Sequence, residues 1–115
     1  MRPVNLALGV DNVSEATESI VQFELEHRFY YLFIEWPDNP VPPHLWRDRE
    51  EELHFMSAMG LDHLKASIRR VEKDLKEFLQ QRGGRGHEEA VSILEPAAST
   101  KLKELKSAFR EKAQI

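Results

Sequence analysis

The spacing of apolar residues predicts one short extended segment followed by several helices. Apolar residues occupy every second position near the N-terminus, at Val4, Leu6, Leu8 and Val10. That alternation predicts an extended arm over residues 1–11. Asn12 and Glu15 then have the spacing of a helix capping box, which predicts that helix 1 begins near Val13 and continues to about Trp36.

Residues 21–28, VQFELEHR, alternate between apolar and polar side chains, a pattern that is also typical of a half-buried strand. A helix is favoured because residues 13–36 contain no Gly or Pro and because Gln, Glu and Arg are good helix formers. On a helix, one apolar side holds Ile20, Phe23, His27, Tyr30, Tyr31 and Ile34. The opposite side holds Val21, Leu25, Phe29, Leu32 and Trp36. Such a two-sided helix is expected to lie centrally between neighbouring helices.

The proline-rich residues 36–43 end this first helix. Helix 2 is predicted from about Pro43 to Met59, and helix 3 from Leu61 or Asp62 to Arg82. The apolar residues of helix 3 follow a heptad pattern, at Leu64, Ile68, Val71, Leu75 and Phe78. We expect helices 2 and 3 to form either a hairpin or one straight rod through Gly60.

The C-terminal third is predicted to hold a flexible glycine-rich loop and two helices. The loop is RGGRG, residues 82–86. A short helix follows and ends at Pro96, and a last helix carries Leu102, Leu105 and Phe109 on one stripe. The predicted fold is therefore all-α: one helical domain over residues 1–115, a small bundle of four to five helices with helix 1 at its centre.

Composition excludes several classes of chemistry. The chain has 115 residues, 41% of them hydrophobic, and no cysteine. Disulfides, thiolate nucleophiles and cysteine-ligated zinc are therefore excluded. The longest apolar run, FYYLFI, is too short to cross a bilayer. We expect a soluble, cytoplasmic protein that does not enter membranes.

The charge is distributed unevenly. Residues 1–60 hold 4 basic and 11 acidic side chains, a net charge of −7, and residues 61–115 hold 12 and 9, a net charge of +3, which together give −4. The acidic run DREEE, residues 48–52, is a candidate docking patch for a basic partner. Acidic residues interleave with the basic residues of helix 3, so nucleic-acid binding is not expected.

Two Glu-x-x-His pairs are the candidate metal ligands. ELEH places Glu24 before His27, and EELH places Glu51 before His54. On a helix this spacing stacks both side chains on one face, where they could bind one metal ion. The two motifs resemble those of ferritin-like carboxylate-bridged metal proteins, and the resemblance covers these motifs alone. It implies iron or zinc bound by Glu24, His27, Glu51 and His54.

The alternative interpretation of these pairs is structural. Glu24 and His27 lie on an apolar row of helix 1, where they would form a buried ion pair. Glu51 and His54 would lie on a solvated flank of helix 2. This interpretation needs no cofactor.

The function expected from the sequence is non-enzymatic. The chain has neither a phosphate-binding glycine motif nor a nucleophile elbow. Its helices offer more apolar surface than the short helices can cover. We therefore expect an interaction or adaptor protein, or a regulator or inhibitor of that class, that forms homodimers. The predicted contact face is Ile20, Phe23, Glu24, His27, Tyr31 and Ile34. The alternative is the ferritin-like metal protein.

Overall fold

The computed structural model describes residues 14–81 and 83–114. These residues form three α-helices, two antiparallel two-stranded hairpins and one short 3₁₀ helix. In chain order the elements are α1 (Glu15–His27), β1 (Phe33–Glu35), β2 (Asn39–Pro40), β3 (Leu45–Arg47), β4 (Leu53–Phe55), the 3₁₀ helix (Met56–Ala58), α2 (Leu61–Gln80) and α3 (Arg85–Ala113). The predicted arm over residues 1–11 lies outside the described residues.

The predicted all-α bundle of four to five helices is wrong. Residues 33–55, which were assigned to the end of helix 1, a proline-rich turn and helix 2, contain the two hairpins instead. Strand β1 pairs Phe33 with Pro40, and strand β3 pairs Trp46 with His54. The next α-helix begins only at Leu61, so the long helix 2–3 rod and its helical hairpin alternative are both excluded.

Helix 1, observed as α1, is shorter than predicted and is not the central helix, because α3 is the helix that packs against both others. The buried residues of α1 share one side, so the predicted two-sided pattern is also wrong. Helix α1 begins at an N-cap, Ser14, whose hydroxyl accepts a hydrogen bond from the Thr17 N–H at 3.1 Å. It ends at His27, where the Glu24 carbonyl accepts from the N–H groups of both Arg28 and Phe29. The strand alternative for residues 21–28 is therefore also wrong, because residues 21–27 are helical.

The aromatic residues after α1 explain why the helix stops. Phe29 and Tyr31 are fully buried, and the Phe29 ring meets the Phe78 ring edge-on at 5.4 Å. The Tyr31 hydroxyl donates to Asp74 Oδ2 at 2.8 Å, and the Tyr31 ring stacks on Trp46 at 4.6 Å. Phe29 and Tyr31 make these side-chain contacts from a non-helical backbone, which places neighbouring aromatic side chains in one core.

Helix α2 confirms the prediction for helix 3. Its buried face is a single stripe of Leu64, Ser67, Val71, Asp74 and Phe78. Ile68 and Leu75, the other members of the predicted heptad pattern, pack against the core while partly buried. The one-sided stripe follows from the heptad spacing of these residues.

Helix α3 packs against both other helices and continues through Pro96. The prediction that Pro96 ends a helix is wrong; its side chain is exposed on the outer face of α3. At the start of α3, a Cβ on the buried Gly86 would lie 3.1 Å from backbone atoms of Ala16 and Thr17. Glycine therefore lets α1 approach α3 closely, and a larger residue at this position would push the two helices apart by a few tenths of an ångström.

A buried lysine joins the hairpins to α3. Lys101 is 4% exposed, and its Nζ donates to the carbonyls of Pro42 and Leu45 at 3.1 and 3.0 Å and to Glu104 at 3.0 Å. These three bonds satisfy the buried ammonium. None of the helices in residues 14–81 and 83–114 is both long enough and apolar enough to cross a membrane.

Candidate functional site

The C-terminal half of α1 lies between two grooves. We call the larger one the hairpin cleft; its volume is about 560 Å³, and its lining residues are Gln22, Leu25, Glu26, Tyr30, Phe33, Ile34, Glu35, Trp36, Asp38, Arg47, Arg49 and Glu51. We call the smaller one the Glu24 groove; its volume is about 350 Å³, and its lining residues are Ser19, Ile20, Phe23, Glu24, Gln81, Gly83 and His87. The two grooves share no residue.

The hairpin cleft has an apolar floor. Leu25, Tyr30 and Phe33 are partly buried there, and Ile34 is 39% exposed. Trp36 is 8% exposed, and its buried Nε1–H has no acceptor among the described residues. A ligand in this cleft would meet aromatic and aliphatic surface.

The two arginines of the hairpin cleft already have partners. Arg47 donates to the Tyr30 carbonyl and to Glu51 Oε1, each at 2.9 Å. The Arg49 guanidinium lies over the Tyr30 ring, with its central carbon 4.6 Å from the ring centroid.

The carboxylates of the hairpin cleft outnumber its arginines. Glu26, Glu35 and Asp38 are exposed, and none forms an ion pair with another residue in the part of the chain that the structure describes. With Glu51, the cleft has four carboxylates against two arginines, a local net charge of −2. The net charge that the hairpin cleft presents to a ligand is therefore negative.

The Glu24 groove has a buried carboxyl group in its lining. Glu24 is 4% exposed, and Arg28 Nε lies 3.4 Å from its Oε1 without forming a hydrogen bond. Burial raises the pKa of the Glu24 carboxyl above its usual range, although the positive charge of Arg28 opposes that rise.

The rim of the Glu24 groove is aromatic. The Phe23 ring is 56% exposed and stacks on the His27 ring at 4.2 Å. His27 Nδ1 lies 2.9 Å from the Phe23 carbonyl oxygen. On the inner side, the largely buried His87 ring contacts the Phe78 ring at 5.1 Å.

The two Glu-x-x-His pairs do not form the ferritin-like arrangement. Glu24 turns into the core while His27 is exposed on the surface of α1. Glu51 lies in the β3–β4 turn with a φ of 69° and pairs with Arg47, and His54 belongs to strand β4. Only one of the two pairs is helical, so the four residues cannot meet as two facing helical motifs.

The β3–β4 hairpin forms a different group of polar side chains. Asp48, Glu52 and His54 place one potential metal-ligand atom each within 4.8 Å of one another. Asp48 Oδ2 lies 2.7 Å from His54 Nε2, and Asp48 Oδ1 accepts from the Glu52 N–H at 2.9 Å. The hydrogen bond from His54 lowers the pKa of the Asp48 carboxyl. The hairpin register brings these residues together, which a helical interpretation could not show.

The predicted contact face is divided between three environments. Ile20, Phe23 and Glu24 line the Glu24 groove, beside His27. Ile34 lines the hairpin cleft. Tyr31 is fully buried in the core. The six residues therefore do not form one continuous surface.

No protein-family model, curated protein or solved structure matches this chain.

Proposed function

We propose that this protein is a non-enzymatic interaction protein that binds a basic segment of a partner protein in the hairpin cleft. The observation that supports the proposal is the set of exposed carboxylates of Glu26, Glu35 and Asp38, which have no ion-pair partner within the described residues and lie beside an apolar floor.

The chemistry of a basic side chain fits this combination. Arginine and lysine have an apolar stem that packs on aromatic rings while the charged group contacts carboxylates. The stem would contact Phe33 and Ile34, and the charged group would lie near Glu35 or Asp38. Such rim carboxylates raise the association rate and select a basic partner, whereas most of the affinity comes from buried apolar contacts.

This proposal keeps the expected adaptor, regulator or inhibitor class and changes the surface that performs it. The acidic and apolar side chains lie mainly on the two hairpins rather than on a helix. Binding of a partner segment, in the cytoplasm, is the function we infer. Self-association stays a separate prediction that the proposal does not need.

Selection of peptides from a random display library on the immobilised full chain tests this function. We expect selected peptides to contain Arg or Lys next to apolar residues, with affinities that fall as salt concentration rises. In calorimetric titrations of one selected peptide, the double change Glu35→Gln with Asp38→Asn should weaken binding by about tenfold or more, since each lost charge contact contributes on the order of 1 kcal/mol.

The matched control removes two exposed carboxylates from α3, through Glu95→Gln with Glu111→Gln. It changes the net charge by the same amount and should bind the peptide with unchanged affinity. Selection of neutral or acidic peptides, or equal weakening by the two double variants, would contradict the proposal.

A further inference from the structure

The side of α2 that points away from the core is basic. Lys65, Arg69, Lys73 and Lys76 are all exposed, and the spacing between them is one helical turn at each step. This spacing brings the four side chains to one side of the helix, opposite the buried stripe of α2. We call this set the α2 basic stripe; at 1.5 Å per residue it extends over about 16 Å.

The charge of the α2 basic stripe is largely uncompensated. Three of its four members form no ion pair with another residue in the described part of the chain. The exception is Lys73, whose Nζ lies 3.9 Å from Glu77 Oε2 at the surface, where water screens the pair. Glu72, beside the stripe, is already paired with Lys106 of α3 at 3.2 Å. Asp62 lies in the first turn of α2, where a carboxylate interacts with the N–H groups of the helix terminus.

The hairpin cleft carries the opposite charge. Its four carboxylates outnumber its two arginines, and both arginines have partners within the protein. The same asymmetry extends along the chain, with a net charge of −7 in residues 1–60 and of +3 in residues 61–115. The cleft and the α2 basic stripe share no residue. One copy of the chain therefore presents two separate surfaces of complementary charge.

The side chains of the stripe also fit the cleft in shape. Their methylene stems can pack on Phe33 and Ile34 while their charged ends reach the free carboxylates at the rim. A helix presents such side chains in a row, about 5–6 Å apart, so neighbouring members can enter the cleft together. A folded helix has also lost its backbone freedom before it binds, so it is ordered at a lower entropic cost than a flexible peptide.

We infer that the basic segment bound by the hairpin cleft is the α2 basic stripe of a second copy of this chain. The inference rests on the proposed function of the cleft and names its partner. A cleft that holds the stripe of another copy is closed to other basic segments. Self-association and the binding of any other basic partner therefore compete for one site.

Sedimentation equilibrium of the full chain, over a series of protein and salt concentrations, tests this inference. At low salt the average mass should rise above the monomer mass of 13.4 kDa as the protein concentration increases. It should return to the monomer mass as the salt concentration rises, because exposed charge contacts are screened. An excess of a basic peptide from the display selection should have the same effect, because the peptide occupies the same cleft.

Two charge-reversal variants identify the contacting surfaces. Lys65→Glu with Arg69→Glu alters the stripe, and Glu35→Lys with Asp38→Lys alters the cleft; all four side chains are exposed. Each variant alone should stay monomeric under conditions in which the wild type associates. An equimolar mixture should associate again, because one variant supplies an intact stripe and the other an intact cleft.

The matched control is Lys103→Glu with Arg110→Glu, which reverses two exposed charges on α3 and should associate like the wild type. The stripe variant should still bind the selected peptide, since its cleft is unchanged. A wild type that stays monomeric at low salt but binds the peptide would overturn this inference and leave the proposed function standing. A wild type that does neither would overturn both. Association that persists in the stripe variant, that the control weakens equally, or that the mixture does not restore would also overturn the inference.

Discussion

The sequence pattern predicted helix α2 correctly, whereas it predicted the structure of residues 28–60 wrongly. Helix α2 was predicted from Leu61 or Asp62 to Arg82 and is observed from Leu61 to Gln80. Residues 28–60 were predicted as helix apart from a proline-rich turn, and they contain two hairpins and no α-helix. Both regions are rich in apolar residues, so the amount of apolar surface does not explain the difference.

The arrangement of the apolar residues does explain it. The buried side chains of α2 form one stripe, and a helix is the local structure that turns that spacing into a single face. FYYLFI, residues 29–34, is apolar without interruption, so its pattern selects no face. Such a segment adopts the backbone that lets its aromatic side chains contact the rest of the core.

The contact between these two regions gives the largest expected effect. Phe29→Ala and Phe78→Ala should each lower the free energy of unfolding by about 3–5 kcal/mol, because each removes a fully buried ring. Urea denaturation of both single variants and of the double variant measures the coupling. We expect about 0.5–1.5 kcal/mol for this edge-on aromatic pair. If the losses of the two single variants simply added in the double variant, residues 28–60 and α2 would not stabilise each other at this contact.

Tyr31→Phe should have an intermediate effect that depends on pH. It leaves the Asp74 carboxylate, which is 3% exposed, without its donor at 2.8 Å, at a cost of about 1–3 kcal/mol near neutral pH. Burial raises the pKa of Asp74, while the Tyr31 hydrogen bond lowers it, so the variant has the higher folded-state pKa.

The sign of the pH dependence follows from linkage. A carboxyl with a raised folded-state pKa loses stability as the pH rises through that pKa, because the folded state binds the proton more tightly than the unfolded chain. The variant loses more stability than the wild type over this pH range. The difference between their free energies of unfolding, measured by urea denaturation, should therefore grow from acidic to neutral pH. A deficit that is the same at all pH values would argue against a hydrogen bond to the charged form of Asp74.

Phe23→Ala should have the smallest effect of the three. The sequence pattern placed Phe23 on an apolar side of helix 1, and truncation of a buried side chain there would cost about 1–4 kcal/mol. The ring is 56% exposed, so we now expect about 0.5 kcal/mol or less in thermal unfolding. Val71→Ala on α2, where the side chain is fully buried, should cost about 1–3 kcal/mol and is the comparison. A Phe23→Ala loss as large as that of Val71→Ala would show that Phe23 is covered in solution, as the predicted homodimer requires.

The candidate sites were only partly visible in the sequence. The row containing Ile20 and Glu24 indicated that a carboxylate lies among apolar side chains, and Glu24 is buried. Its neighbours in the groove, Gln81, Gly83 and His87, are distant in sequence and follow no pattern that connects them to α1. The hairpin cleft could not be predicted at all, because the segment that forms most of it was assigned to helices.

The sequence by itself determined the features that depend on local spacing and composition. These are helix α2 with its one-sided stripe, the absence of cysteine chemistry and the excess of acidic residues in the first half of the chain. Tertiary structure alone decided where α1 ends, that residues 33–55 form hairpins, and that α3 continues through Pro96. At those positions the local preferences are balanced or opposed to the outcome, so long-range contacts such as Phe29 with Phe78 and Tyr31 with Asp74 determine the backbone.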